Sequence, residues 1–288
     1  MYIDERPKKL VFICSTLFAI IFLTLLLHSG SYYPNPPYWI PTKTETNNII
    51  AYSILLAILP ASIVEFLNNR WLAAVEKNVP RILNDVTEEV KSGQSLINAL
   101  ELKMGSNYGP ISNLMKKTLV RFNLTSNFGE AMTWLGEKLV VPIGKQMSSI
   151  FFESYETGGN VTDVLMSSVE LFKGIDDDRT HRHSQTRPYI FIIYTGMIVF
   201  LLISYVLLNQ FLIHLQFNEG ISGLSQAGIR LSSINIDYYL SILFWAAIIE
   251  SLIGGLVAGK ISEGRIGSGL IHSSLMILTT LFFYNFII

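Results

Sequence analysis

Five runs of roughly twenty apolar residues dominate this 288-residue chain. Twenty residues is about what a helix needs to cross the hydrocarbon of a bilayer. In that solvent every backbone N–H and C=O must be satisfied within its own segment, so each run is predicted to be a helix. The predicted spans are residues 10–27, 49–67, 189–212, 238–258 and 269–288. Charged residues make up only 15% of the chain, against about a quarter in a soluble domain, and this excludes a soluble enzyme. The 21 Lys and Arg nearly balance the 22 Asp and Glu, so nothing points to nucleic acid as a partner. The single Cys14 lies inside the first run, which excludes a disulfide framework or a Cys-based zinc cluster. That first run is too long for a signal peptide and no small-residue cleavage motif follows it, so residues 1–28 are read as an uncleaved anchor.

Orientation follows from the cations. Arg6, Lys8 and Lys9 precede the first span, the segment 68–188 holds fourteen Lys and Arg, and Lys260 and Arg265 lie between the last two spans. The loops 29–48 and 213–237 carry one each, Lys43 and Arg230. Alternation then places nineteen cations on one face and two on the other. The expected topology is a multi-pass protein of the cytoplasmic membrane with its N-terminus inside and its C-terminus outside. Tyr32, Tyr33, Tyr38 and Trp39 in the external loop 29–48 suit the headgroup layer.

Residues 68–188 read as a cytoplasmic helical domain between spans 49–67 and 189–212, leaving 189–288 as the remaining membrane domain. Val79, Ile82, Leu83, Val86 and Val90 recur at helical steps, with Pro80 suited to a first helical turn. Further stripes follow Pro110 (Ile111, Leu114, Met115, Leu119) and Pro142 (Ile143, Met147, Ile150, Phe151). Asn127 with Glu130 opens a third, carrying Phe128, Met132, Leu135 and Leu139, and resembles a capping box. After the break at Thr157-Gly158-Gly159, Asn160 and Asp163 open a last helix. No stretch alternates with period two, so the fold class is an all-α integral membrane protein with five transmembrane helices and an inserted helical bundle.

Catalytic signatures are few. No Gly-rich phosphate loop ends in Gly-Lys-Ser/Thr, and no His-Glu-x-x-His occurs. Asp176 to His183 has metal-ligand residue types with cations interleaved, and reads as a solvated, charged approach to the third span. Glu250, twelve residues into the fourth span, and His272, early in the fifth, are ionisable groups inside the membrane and form a candidate polar pair. They would serve a relay in a small ion-coupled transporter or channel, or polar packing between helices. Ser251, Gly255 and Gly259 form a small-xxx-small row suited to close helix packing. Lys116, Lys117 and Arg121 cluster opposite an apolar stripe and are the candidate contact for a protein partner.

Residues Val79 to Leu83 and the Ser92-Gly93-Gln94-Ser95-Leu96-Ile97-Asn98-Ala99-Leu100 block resemble the opening of the F domain of type II secretion systems. Glu156 to Leu165, with its Gly158-Gly159 and capped helix, is similar to that family's second element. The stretch Ala258 to Arg265, with Gly267, Gly269, Leu270, His272 and Ser273, resembles the archaeal branch, the platform proteins of archaella and archaeal type IV pili. The likeness spans residues 65–275. It implies a non-enzymatic platform in the cytoplasmic membrane, with no cofactor or metal, that engages a hexameric secretion ATPase and passes its motion to pilin-like subunits in the lipid bilayer. Many relatives carry two such helical domains and this chain shows one, which leaves a second platform subunit, self or paralogue, as an expected partner.

Overall fold

The computed structural model describes residues 2–28, 40–158, 161–212 and 236–288. The aromatic residues at 32, 33, 38 and 39, the segment 213–235 with Arg230, and the Gly159–Asn160 step lie outside the described residues. Every element found is helical: α1 (Glu5–His28), α2 (Thr44–Lys91), α3 (Leu96–Lys103), α4 (Pro110–Thr125), α5 (Phe128–Leu139), α6 (Pro142–Thr157), α7 (Val161–Val206), α8 (Ile236–Glu263) and α9 (Gly269–Phe286). A π-helical turn, Leu207–Leu212, extends α7, and a 3₁₀ turn, Ile266–Ser268, precedes α9. No strand occurs among the described residues. Among the described residues, five helices are long and apolar enough to cross a membrane. The chain is an all-α membrane protein.

The chain divides into two compact units, one of residues 1–2 and 67–185, the other of residues 3–66 and 186–288. The crossings at 66–67 and 185–186 fall inside helices, α2 and α7, rather than in loops.

That continuity corrects one expectation. Pro80 does not open a helix; it lies inside α2, as does Pro60. The last bundle helix and the third span are likewise one helix, α7, with Pro188 in its interior. A proline inside a helix costs about 3 kcal/mol through a lost hydrogen bond and a steric clash. Around Pro80 the opposing term is larger. Val75, Val79, Ile82, Leu83 and Val86 are all completely buried, and each such side chain contributes roughly 1.5–3 kcal/mol.

In the helical unit the predicted stripes form one core. Ile111, Met115 and Leu119 of α4, Phe128, Met132, Leu135 and Leu139 of α5, and Met147 and Phe151 of α6 meet the α2 stripe, with Leu165 and Phe172 of α7. Local chemistry sets the ends of these helices. The Ser95 Oγ accepts from Asn98 N at 3.3 Å to cap α3, and Asn127 Oδ1 accepts from Glu130 N at 3.0 Å to cap α5. The capping box is half formed: Glu130 turns instead to Arg121, at 2.7 Å, and Asn127 N donates to Thr125 Oγ1 at 3.3 Å. Pro110 and Pro142 each sit in a first turn, where the missing N–H has no intrahelical role.

Tyr108 is the one phenol in this core with full burial, and its hydroxyl donates to Asp85 Oδ2 at 2.8 Å. Arg81 lies over its ring, 5.5 Å from the centroid. Burial and then the Asp85 bond push its pKa up to about 12. A phenol whose folded pKa is raised contributes stability that is complete below its ordinary value near 10 and is lost as pH climbs through about 12. A difference titration of tyrosinate absorbance between the full-length protein and its Tyr108→Phe variant in detergent is expected to place this phenol at the alkaline end of the range. The variant should lose part of the alkaline drop in stability. A Tyr108 that ionises with the exposed tyrosines would contradict this environment.

Candidate functional site

In the membrane unit, α8 and α9 form the tightest helix pair. A Cβ built on Gly255 would run into the backbone of Ser273, and one on Gly259 into the backbone of Gly269. The polar groups beside these glycines pair across the same seam. Ser251 Oγ and Thr280 Oγ1 lie 2.8 Å apart, Ser273 Oγ donates to the Leu252 carbonyl at 2.8 Å, and Ser268 Oγ donates to the Gly259 carbonyl at 2.9 Å. The Ser251, Gly255 and Gly259 row therefore faces α9 along its length. A second polar hub sits near the other end of α8. The Asn47 side chain, almost fully buried, donates to Ser241 Oγ at 2.8 Å and to the Pro41 carbonyl at 3.0 Å, and accepts from Trp245 Nε1 at 2.9 Å.

The two intramembrane ionisable groups are not brought together by any hydrogen bond or ion pair among the described residues. His272 Nδ1 instead pairs with the Tyr194 hydroxyl of α7 at 2.8 Å. Glu250 is half-buried on α8, beside the exposed Ile249 and Ile253. Sequence reading missed Tyr194 because its partner is 78 positions away on another helix, a separation that no spacing rule registers.

In the helical unit, Lys116 and Lys117 are exposed on α4, while Arg121 is tied to Glu130 in a 2.7 Å ion pair. Two apolar residues share that surface: Val120 is 59% and Leu124 81% exposed. Lys116, Val120 and Leu124 follow each other at four-residue steps, so they line one helix face. Their i, i+4 spacing was readable in the sequence. Their exposure was not, since apolar residues at helical spacing are usually core.

The two motif-like turns, 92–94 and 157–158, belong to one place. Both helix-ending glycines adopt positive φ, +97° at Gly93 and +62° at Gly158, a conformation that costs other residues. Gly93, Gln94, Ser95, Leu96, Tyr155 and Gly158 line a common cavity of about 370 Å³. Asp176 to His183 lies along α7, with Arg179 ion-paired to Glu76 of α2.

These features define an all-α, multi-pass membrane protein with an inserted helical unit. Residues 82–208 match the family model of the type II secretion system (T2SS), protein F. An uncharacterised protein of Methanocaldococcus jannaschii is 26% identical over 247 residues, covering 85% of this chain and 39% of the relative. The chain thus spans about two-fifths of that relative's length. No solved structure matches the chain at a significant level.

The α8–α9 seam leaves no room for side chains at Gly255 and Gly259, two of the three glycines of α8. Gly259→Leu or Gly255→Val is expected to cost at least the 1–3 kcal/mol typical of overpacking, because backbone rather than a flexible side chain blocks the space. Gly254→Ala is the control, since its nearest neighbours are the ends of Met276 and Ile193, 3.3 and 3.4 Å away. Thermal stability and monodispersity in detergent would separate them. Equal behaviour of all three variants would refute the seam.

Proposed function

We propose that this chain is the membrane platform of a filament-assembly machine of the type IV pilus or archaellum kind. Its helical unit engages a hexameric secretion ATPase, and its membrane unit works on pilin-like subunits in the bilayer. A second platform subunit, of the same chain or a paralogue, stands beside it. The observation that carries the reading is the F-family match over 82–208, which covers most of the helical unit and the membrane span that follows it. The absence of a Gly-Lys-Ser/Thr phosphate loop in the sequence agrees with an ATPase supplied by another chain.

We place the helical unit in the cytoplasm, with the N-terminus inside and the C-terminus outside, because nineteen of the 21 Lys and Arg then share the cytoplasmic face. In a Cys14→Ser background, single cysteines at Lys116 and Lys145 are expected to resist a membrane-impermeant maleimide in intact cells and to react after permeabilisation. Labelling without permeabilisation would reverse the topology.

We assign ATPase contact to the α4 face that carries Lys116, Lys117, Val120 and Leu124. A mixed face of this kind combines cations that steer an acidic partner with apolar area that holds it. Arg121 contributes less directly, since its guanidinium already holds Glu130. Reversal of Lys116 and Lys117 to Glu is expected to cut ATPase co-purification about tenfold at physiological salt, at up to about 1 kcal/mol for each exposed pair lost and more for repulsion gained. Leu124→Asp should weaken capture at every salt concentration, whereas the lysine effect should fade as salt is raised. Undiminished capture by both variants would move the contact elsewhere.

A further inference from the structure

The α8 helix has two faces. Ser251, Gly255 and Gly259 turn to α9, while Ile249, Ile253 and Val257 are exposed on the opposite side. Glu250 belongs to this outward side: Ile253 and Val257 follow it at three- and four-residue steps, and it is itself only half-buried. It stands at the middle of the 28-residue α8, so about 15 Å of hydrocarbon separates it from either headgroup layer. Two methylenes and a carboxyl do not bridge that distance, as the longer snorkelling side chains near helix ends do.

Its own subunit offers this group nothing. Among the described residues no hydrogen bond or ion pair reaches the Glu250 carboxyl. His272 is out of reach, because Ser251 lies level with Thr280 and Gly255 with Ser273. That register sets His272 about eight residues, or about 12 Å, along α9 from the level of Glu250, and its Nδ1 already pairs with the Tyr194 hydroxyl. An ionisable group at this depth is expensive unless a partner meets it. A carboxylic acid is both donor and acceptor, so it is complementary to itself. A second copy related by a two-fold axis along the membrane normal carries the same acid at the same depth, and an isologous contact sets residues near that axis against their own counterparts.

We propose that the outward face of α8 is a self-association surface on which two copies of this chain pair through Glu250. The two uncharged acids exchange reciprocal bonds, each O–H donating to the other's carbonyl oxygen, and Ile253 and Val257 of both copies pack beside them. The α9 seam is not consumed, since it uses the other face of the helix. The pairing makes the second platform subunit a copy of this chain, yet it rests on the membrane spans and Glu250 alone.

The test uses the full-length protein in detergent micelles, with sedimentation equilibrium as the readout. Wild type should be a dimer. Glu250→Leu should weaken association about tenfold with an unchanged melting temperature, because the carboxyl bonds nothing in its own subunit. Glu250→Gln, whose amide also donates and accepts, should associate as wild type does. In a Cys14→Ser background, Ile253→Cys should form a disulfide between copies on mild oxidation, whereas Leu278→Cys, equally exposed but on α9, should not. A monomeric wild type would overturn the pairing, as would a Glu250→Leu dimer of wild-type strength or equal cross-linking at both positions. A monomer that still captured the secretion ATPase would overturn the pairing and leave the platform reading standing. A dimer paired at Ile253 that captured no ATPase would uphold the pairing and count against that reading.

Discussion

The contact on which the membrane unit depends is the close approach of α8 and α9. Lipid tails are as apolar as leucine, so helices in a bilayer gain little from hydrophobic burial against each other and must gain from packing and hydrogen bonds. Gly255 and Gly259 supply the packing, since they let one backbone lie against the next. Ser251, Ser268, Ser273 and Thr280 supply the hydrogen bonds along the same seam. Individually such bonds average under about 1 kcal/mol in membrane proteins, so the seam works because several coincide. The apolar core of Met197, Phe244, Ile248, Met276 and Leu281 then collects around that pair.

Much of this was legible in the sequence, for identifiable reasons. Membrane spans announce themselves because length and apolarity are one-dimensional properties. The bundle stripes were readable because a helix buries one face at a fixed period, and residues such as Ile82, Met115, Leu135 and Phe151 do lie in the core. The small-residue row was readable as a packing face for the same reason. What it packs against was not, because the partner helix is chosen by the fold.

The misreadings share a cause. Pro80 reads as a helix start because local propensity opposes proline inside a helix, yet α2 runs through it. Leu72 and Val75 continue the Val79–Val90 stripe backward at the same spacing, and extending the count past the proline would have exposed the continuity. Glu130 was assigned to its own helix cap, whereas Arg121, nine positions earlier, offered a charge-assisted bond that outweighs a neutral one. The Tyr194–His272 bond joins two helices. In each case a nonlocal partner outweighed a local rule, and no window of sequence contains both sides of that comparison.

The same logic bears on where α7 can yield. Pro188 lacks the N–H that would have bonded the Ser184 carbonyl, so the ladder of this 46-residue helix is interrupted there. Kinks in long helices concentrate at such interruptions. The interruption lies three positions from where the chain passes from one compact unit to the other at 185–186. Pro60, within the 48-residue α2, stands seven positions before the other crossing at 66–67. A loop at either crossing would uncouple the units, and an uninterrupted helix would resist bending evenly along its length. Two helices that each carry a proline near the crossing combine continuity with a defined place to bend.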